Sequence, residues 1–315
     1  MEEKKGGKRI QRREYDRGFR HRLLLAVIFL CTGVLVSYSL GAMAWQSDPV
    51  VENAPVAVAP LPAAEGTAPP TVVPSQEPTP LPASEVPAEW DFSSPAPETA
   101  AVDDDYFSDA VFLGDSRSDG LRLYGGIRGA DFLAHKSLMV FQITGTGGVE
   151  KKEIPKNGTG EKKTALDWLK EKSYTKIYLM FGINELGYGN IQEFADAFSL
   201  CVDEVRDLQP VAVLYIQSLI PVAPEKAHQF NPAAWLNNDN VVAYNATLRQ
   251  VCEEKKVVYV DVREVMEDQN GDLPAEGTTD GVHFTRSYYQ KWYAYLKTHT
   301  ADPALYFAGQ QTGQQ

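Results

Sequence analysis

Basic residues are missing from a long part of this 315-residue chain, which carries no Lys or Arg between Leu23 and Ser116. The whole chain has 30 Lys and Arg residues against 42 Asp and Glu residues, which gives a net charge of −12. A protein that binds nucleic acid needs a basic face for the phosphates. The composition therefore argues against a nucleic-acid partner.

Cysteine is also scarce, with three residues in the chain. Cys201 and Cys252 fall on predicted helices, where a free buried thiol is the expected state because cysteine packs as a small apolar side chain. A Cys201–Cys252 disulfide stays open as the alternative, since spacing alone does not settle a pairing. The Cys and His residues show no zinc-ligand spacing, and the sequence predicts no metal and no other cofactor.

Charged residues of both signs are missing from Leu23–Trp45, a run that is long enough as a helix to cross the ~30 Å apolar layer of a bilayer. Residues 1–22 are rich in Lys and Arg, so the positive-inside rule predicts a cytoplasmic N-terminus and places the chain after Trp45 outside. We expect a single-pass signal-anchor helix at 23–45. The motif Ala42-Met43-Ala44 leaves a cleaved signal peptide as the alternative.

Proline is concentrated in residues 46–105, a segment with many acidic residues and no basic ones. Such a composition buries too little apolar surface to offset the entropy of ordering the chain. We therefore predict a disordered, extended linker over the whole of 46–105. It would tether a globular domain at 106–306, and residues 307–315 are predicted to form a polar tail.

Strand-like and helix-like segments alternate between residues 106 and 306, which predicts an α/β fold with a parallel sheet covered on both faces. The predicted strands are Ala110–Leu113, Phe132–Ala134 with Leu138–Ile143, Lys176–Phe181, Val211–Gln217 and Val257–Val260. Three helices are predicted by apolar residues at helical spacing; they begin near Ile191, Val241 and Tyr288. Asn190 and Glu193 form a predicted capping pair for the first. The aromatic side of the last is expected to pack in the core, with sugar stacking as the alternative.

Three short polar motifs are placed where the loops of a parallel α/β sheet build functional sites, at the carboxyl ends of its strands. They are Gly114-Asp115-Ser116, Gly182-Ile183-Asn184 followed by Glu185, and Asp280-Gly281-Val282-His283. A serine hydroxyl becomes a nucleophile when a base removes its proton, and a histidine oriented by an aspartate is such a base. The pattern predicts Ser116 as nucleophile, His283 as base and Asp280 as the group that orients the base.

These motifs, in this order, resemble those of the SGNH (GDSL-type) hydrolases over residues 106–297. The resemblance implies a three-layer α/β/α sandwich with a central parallel, flavodoxin-like sheet, and serine esterase activity. It also implies that the Asn184 amide and the Ser116 N–H stabilise the oxyanion of the tetrahedral intermediate. The second backbone donor, usually from a glycine, is matched best by Ser137, with Gly145 as the alternative. Ser137 is expected to serve if its φ is negative.

Two loops are predicted to shape the substrate site: 218–240, which carries Trp235, and 145–163, whose lysines either form a solvated face or attract an anionic polymer. The predicted activity is hydrolysis of acyl esters, O-acetyl esters in particular. The anchor and linker favour a cell-envelope polysaccharide as substrate. Two other functions stay open on the same residues: O-acyl transfer to a surface polymer, and glycan binding without turnover.

Overall fold

The computed structural model describes residues 89–311. The predicted membrane helix at Leu23–Trp45 and the greater part of the predicted linker lie outside these residues. In the part of the chain that the structure describes, no helix is long and apolar enough to span a membrane.

The central sheet of the described residues has five strands, and all neighbouring strands are parallel. In chain order the strands are β1 (Ala110–Gly114), β2 (Asp131–Ala134), β3 (Glu153–Pro155), β4 (Lys162–Thr164), β5 (Lys176–Met180), β6 (Val213–Gln217) and β7 (Val258–Val260). The sheet order is β2-β1-β5-β6-β7, and β3 and β4 form a separate antiparallel pair. Since the chain winds outward in both directions from β1, the carboxyl ends of β1 and β5 border the crevice where such sheets bind ligands.

Helices lie on both faces of this sheet. In chain order they are α1 (Ser116–Tyr124), α2 (Val140–Thr144), α3 (Ala165–Leu169), α4 (Ile191–Leu208), α5 (Pro224–Phe230), α6 (Asn238–Lys255), α7 (Arg263–Met266), α8 (Arg286–Thr298) and α9 (Pro303–Gln311). Single 3-10 turns occur at Asp104–Phe107, Lys156–Gly158, Glu185–Gly187 and Ala275–Gly277.

Two apolar clusters, one on each face of the sheet, form the core. Side chains alternate along the strands, so Val111 and Leu113 pack in the cluster that includes α4 and α6, whereas Phe112 packs in the cluster that includes α8. Both clusters are built from fully buried residues such as Phe198 of α4 and Trp292 of α8. The helix–sheet–helix arrangement implied by the resemblance is confirmed.

The strongest helix predictions are confirmed in detail. Asn190 accepts the N–H of Gln192 and of Glu193, and the Glu193 carboxylate accepts the N–H of Asn190, so α4 begins with the predicted reciprocal cap. The aromatic side of α8 is buried in the core rather than exposed to sugars, as Trp292 shows. Cys201 is free and buried, and so is the second helical cysteine.

One predicted strand is wrong. Residues Leu138–Ile143 were expected to continue the strand at Phe132–Ala134, but the chain turns and forms the short helix α2 from Val140 to Thr144. A short apolar run fits a buried helix as well as a buried strand. Here the helix is favoured by a distant group, because the Glu185 carboxyl group accepts the N–H of Val140 on Oε1 at 2.6 Å.

The predicted domain boundaries also differ from the structure. Residues 89–105 were assigned to the disordered linker, yet Phe92 and Ala96 are buried in the core cluster that includes α8. The N–H of Ala96 donates to the carbonyl of Tyr259 on the edge strand β7 at 2.8 Å. At the other end, the predicted tail from 307 continues as helix α9 to Gln311. The N-terminal boundary was not predicted because residues 89–105 have the same proline-rich composition as the linker and contain few apolar residues.

Candidate active site

Ser116 is separated from β1 by one residue, Asp115, and lies at the carboxyl edge of the sheet. Asp115 caps helix α1 by accepting the N–H of Arg117 on Oδ1 at 2.8 Å, so Ser116 is the first residue of that helix. The turn is tight, because a Cβ added to Gly114 would lie 2.0 Å from the Oγ of Ser118. This packing fixes the backbone that presents the half-buried Ser116 hydroxyl.

The Ser116 hydroxyl contacts the imidazole of His283, and the imidazole contacts Asp280. Ser116 Oγ lies 2.9 Å from His283 Nε2, and His283 Nδ1 lies 2.7 Å from Asp280 Oδ2. An ionised carboxylate only accepts hydrogen bonds, so Nδ1 carries the ring proton and Nε2 presents its lone pair to the serine. The structure thus brings together the three predicted residues in an order that lets His283 remove the hydroxyl proton.

The Asp280 carboxylate is oriented by its own loop. Its Oδ1 accepts the N–H of Val282 at 2.9 Å and of His283 at 2.8 Å, which leaves Oδ2 for the imidazole. Burial by itself would raise the pKa of Asp280, but the hydrogen bonds from His283 and Val282 lower it to about 2. Because Asp280 stays ionised, it favours the protonated imidazole that forms when His283 takes the serine proton.

The predicted oxyanion donors follow the two strands that flank β1: Asn184 comes after β5 and Ser137 comes after β2. Asn184 Nδ2 donates to the carbonyl of Leu138 at 3.1 Å, and the amide keeps a second N–H for another acceptor. Ser137 precedes Leu138, is exposed, and has no acceptor for its N–H among the described residues. The N–H of Gly145, in contrast, donates to the carbonyl of Phe141 at 2.8 Å. The geometry favours Ser137 over Gly145 as the second backbone donor.

The backbone conformation of Ser137 differs from the one that the sequence analysis required of an oxyanion donor. Its φ is 56°, in the left-handed region, whereas a negative φ was expected if serine replaced glycine. A side chain in this region costs roughly 1–2 kcal/mol. The chain therefore follows a glycine-type path at this position even though the residue is serine.

The sequence model of a family described as GDSL-like lipase/acylhydrolase matches residues 112–291. The match covers more than half of the 315-residue chain and includes Ser116, Asn184 and His283. The chain belongs to this family. It is therefore an enzyme, a serine hydrolase that acts on ester bonds.

Three solved structures resemble this GDSL-like chain at low sequence identity. A Streptococcus pneumonia protein described by reference to platelet activating factor is 19% identical, covers 60% of this chain and 82% of its own, and has a TM-score of 0.48. A family 3 carbohydrate esterase from Talaromyces cellulolyticus is 14% identical, with coverages of 60% and 94% and a TM-score of 0.41. A peptidoglycan O-acetylesterase is 14% identical, with coverages of 52% and 43% and a TM-score of 0.38. No curated protein matches the chain.

Three ionisable side chains are buried beneath the nucleophile of this GDSL-like hydrolase: Asp115, Arg117 and Glu185. Burial raises the pKa of Asp115, and the nearby Arg117 guanidinium opposes that rise. Burial lowers the pKa of Arg117 to about 10, although Asp115 favours its charged form. Glu185 has no cationic partner of this kind, so burial raises its pKa to about 8 despite the hydrogen bond from Val140. At neutral pH, Glu185 is mainly a neutral acid, whereas the buried Arg117 keeps its positive charge near Asp115.

Two residues that hold the catalytic side chains in position, Arg117 and Thr278, were not predicted from the sequence. Arg117 Nε donates to the carbonyl of Val282 at 3.0 Å, and Nη1 donates to that of Ile220 at 2.5 Å, so the helix of the nucleophile is tied to the loop of His283. Thr278 closes that loop, because its hydroxyl donates to the His283 carbonyl. Adjacency to Ser116 was the one signal that could have pointed to Arg117. Thr278 gave no signal, since its role depends on a turn geometry that composition does not encode.

The two loops predicted to shape the site have different surroundings. In the loop at 145–163, Lys151 pairs with Glu204 at 3.0 Å and Lys163 pairs with Glu171, which fits a solvated, locally neutralised face. In the loop at 218–240, the Trp235 ring covers Gly187, three residues after Asn184. The described residues contain no group of three or more His, Cys, Asp and Glu side chains placed to hold a metal ion.

Proposed function

We propose that this protein is an extracytoplasmic esterase that removes acyl groups, O-acetyl groups in particular, from a cell-envelope polysaccharide through an acyl-enzyme on Ser116. The observation that carries the proposal is the hydrogen-bonded series from Ser116 Oγ to His283 Nε2 and from His283 Nδ1 to Asp280. A serine, a histidine and an aspartate in this order perform acyl transfer on unrelated folds.

The first half of the reaction forms the acyl-enzyme. Ser116 Oγ attacks the ester carbonyl while its proton passes to His283 Nε2, and the carbonyl oxygen becomes an oxyanion. The N–H groups of Ser116 and Ser137 and the free N–H of the Asn184 amide donate to that oxyanion. When the intermediate collapses, the bond from carbon to the leaving oxygen breaks, and His283 returns the proton to the departing alcohol.

The second half releases the acyl group. A water molecule gives one proton to His283 Nε2 as its oxygen attacks the acyl carbonyl, and the same donors hold the second oxyanion. The bond to Ser116 Oγ then breaks, and His283 protonates that oxygen. A sugar hydroxyl in place of water would transfer the acyl group instead, with the same residues in the same roles.

The extracytoplasmic setting is supported by the N-terminal sequence. Residues 1–22 are basic, residues 23–45 are apolar, and no basic residue follows until Arg117. By the positive-inside rule this pattern orients a membrane anchor with the hydrolase outside. A domain tethered there by a proline-rich segment can reach the polysaccharides outside the membrane, whose hydroxyl groups can carry acyl esters. This is the reason for proposing an envelope glycan rather than a soluble ester.

The test uses the full chain in detergent, wild type beside Ser116→Ala, with Ser173→Ala as an exposed serine control. Acetate release is measured from p-nitrophenyl acetate and then from O-acetylated polysaccharides. The proposal predicts that Ser116→Ala loses activity by ~10³-fold or more while Ser173→Ala matches the wild type. If an acetylated sugar forms faster than free acetate, the activity of the protein is acyl transfer and not hydrolysis. Tight glycan binding without turnover in a folded wild type would contradict both.

A further inference from the structure

A large aromatic side chain is exposed beside the histidine of the site. Phe230, the last residue of α5, has 56% of its surface exposed. Its ring centroid lies 6.2 Å from that of the His283 imidazole, and the two planes meet at 88°. Single exposed apolar residues are ordinary on a protein surface. This one differs because it borders the atoms that react.

The position of Phe230 is fixed relative to His283. The N–H of Ala223, just before α5, donates to the Gly281 carbonyl at 2.9 Å. Gly281 has no room for a side chain, since an added Cβ would lie 2.1 Å from the Ala227 N. Lys226 Nζ donates to the carbonyls of Ala275 and Thr278 at 2.6 and 2.7 Å. Helix α5 is therefore attached to the segment that carries the histidine.

The chemistry of the site decides which part of an ester would meet Phe230. The acyl carbonyl oxygen points to the N–H donors of Ser116 and Asn184, whereas the leaving oxygen takes its proton from His283 Nε2. A group next to the imidazole therefore lies near the alcohol part of the substrate. The residues beside Phe230 are polar and exposed, namely His228 and Gln229 before it. An aromatic face among hydrogen-bonding groups suits a ring with an apolar face and hydroxyls at its rim.

We propose that Phe230 is a specificity residue that packs against the sugar ring of the alcohol carrying the ester. The inference rests on the proposed function and deepens it, because it names the residue that distinguishes a sugar ester from an ester of a simple alcohol. The ring of Phe230 covers one face of the sugar, and His283 reaches the ester oxygen at the edge of that ring. Phe230 takes no part in proton transfer.

The experiment compares two acetyl esters that differ in the alcohol, ethyl acetate and a mono-O-acetylated glucose, with the full-length wild type, Phe230→Ala and Phe230→Trp. The proposal predicts that Phe230→Ala lowers the ratio of kcat/KM for the sugar acetate to that for ethyl acetate about tenfold, through KM. A loss of this size corresponds to roughly 50 Å² of apolar contact returned to water. Phe230→Trp restores the ratio because it restores an aromatic face.

The control is Leu200→Ala, which removes another exposed apolar side chain, on α4, and is expected to leave the ratio unchanged. An equal fall of kcat for both esters in Phe230→Ala would show that the ring only positions His283, and an unchanged ratio would show no role in specificity. Either result overturns the inference. A wild-type protein that cleaves ethyl acetate but not the sugar acetate overturns the inference and leaves the esterase activity standing. If Ser116→Ala retains activity on both esters, the proposed function itself fails.

Discussion

Ser137 shows, at the scale of one residue, how a site can keep a backbone path that its side chain disfavours. The residue is exposed and stands at φ 56°, a conformation that glycine adopts without cost. Strain of this type is found where a function needs the backbone in one direction. The sequence suggested the position but not the conformation, because the φ of a single loop residue depends on contacts elsewhere.

Replacing Ser137 by glycine is expected to raise the free energy of unfolding by about 1 kcal/mol, since the left-handed strain disappears. Activity on p-nitrophenyl acetate should stay close to that of wild type, because the N–H donor remains. Urea unfolding and steady-state kinetics measure the two effects. In the matched control Ser173→Gly, at an exposed residue with negative φ, glycine should destabilise the protein. A destabilised Ser137→Gly would contradict the strain at Ser137.

The burial of Glu185 makes the free energy of unfolding depend on pH. Its pKa is raised to about 8 by burial, from 4.5 in the unfolded chain. The native state holds this proton where the unfolded chain has lost it, so the stability contributed is full below pH 4.5 and is lost as pH rises towards 8. The slope is about 1.4 kcal/mol per pH unit for one proton.

Glu185→Gln should remove this component. Between pH 5 and pH 8 the free energy of unfolding of the wild type should fall by a few kcal/mol relative to the variant, because glutamine does not ionise. Denaturant unfolding at several pH values gives the difference. Glu254→Gln, at an exposed glutamate, serves as the control and should follow the wild type. Parallel curves for wild type and Glu185→Gln would mean that Glu185 titrates as an ordinary carboxyl group.

At the scale of elements, the nucleophile and its base lie on different segments of the chain, and Arg117 connects the two segments. Helix α1 carries Ser116, and the loop before α8 carries His283. The Arg117 guanidinium donates to the carbonyls of Val282 and Ile220 from the buried side of α1. The relative position of nucleophile and base therefore depends on a buried charge as well as on the sheet.

Arg117→Met should destabilise the protein by roughly 2–4 kcal/mol, because the buried carbonyls of Val282 and Ile220 lose the guanidinium that donates to them. In protein that remains folded, kcat should fall more than KM rises, since His283 is no longer held against Ser116. The control is Arg122→Met on the same helix, where a half-exposed pair with Asp119 is lost and less than about 1 kcal/mol is expected. Equal effects of the two variants would contradict the bracing role of Arg117.

The same scale shows which elements the sequence could predict. Helix α4 was predictable because its apolar stripe and its cap at Asn190 and Glu193 are local features. The run at Leu138–Ile143 was assigned to a strand because its apolar residues fit both periods, and the deciding contact, Glu185 to Val140, comes from a distant element. The three motif positions were predictable since each follows a strand or precedes a helix. Arg117 was not, because its role is set by tertiary contacts with Val282 and Ile220. Thr278 was not, because its role depends on the geometry of its own loop.

At the scale of the whole molecule, the segment at 89–105 belongs to the hydrolase domain rather than to a linker. Phe92 is buried against Tyr306, with ring centroids 5.7 Å apart. The N–H groups of Trp90 and Thr99 donate to the carbonyls of Leu305 and Thr298. Composition could not place this boundary, since two or three apolar side chains among many prolines decide it.

Two truncations should separate the domain from the rest. A chain that lacks residues 1–88 is expected to keep its cooperative thermal transition and its esterase activity. Removal of residues 1–105 exposes the apolar surface that Phe92 and Ala96 cover, and should lower Tm by several degrees or cause aggregation. Calorimetry of both proteins measures this. Phe92→Ala in the full chain, with a loss of about 3 kcal/mol, identifies the main contact. Identical transitions for the two truncations would place the boundary after residue 105.

The most direct test of the account is the covalent state of Ser116. A fluorophosphonate reacts with a serine whose hydroxyl is activated by a base, and peptide mapping by mass spectrometry locates the adduct. The full chain should be labelled at Ser116, and labelling should be lost in His283→Ala and strongly slowed in Asp280→Asn. An unlabelled folded wild type, or an adduct at another serine, would contradict the assignment of Ser116 as the nucleophile.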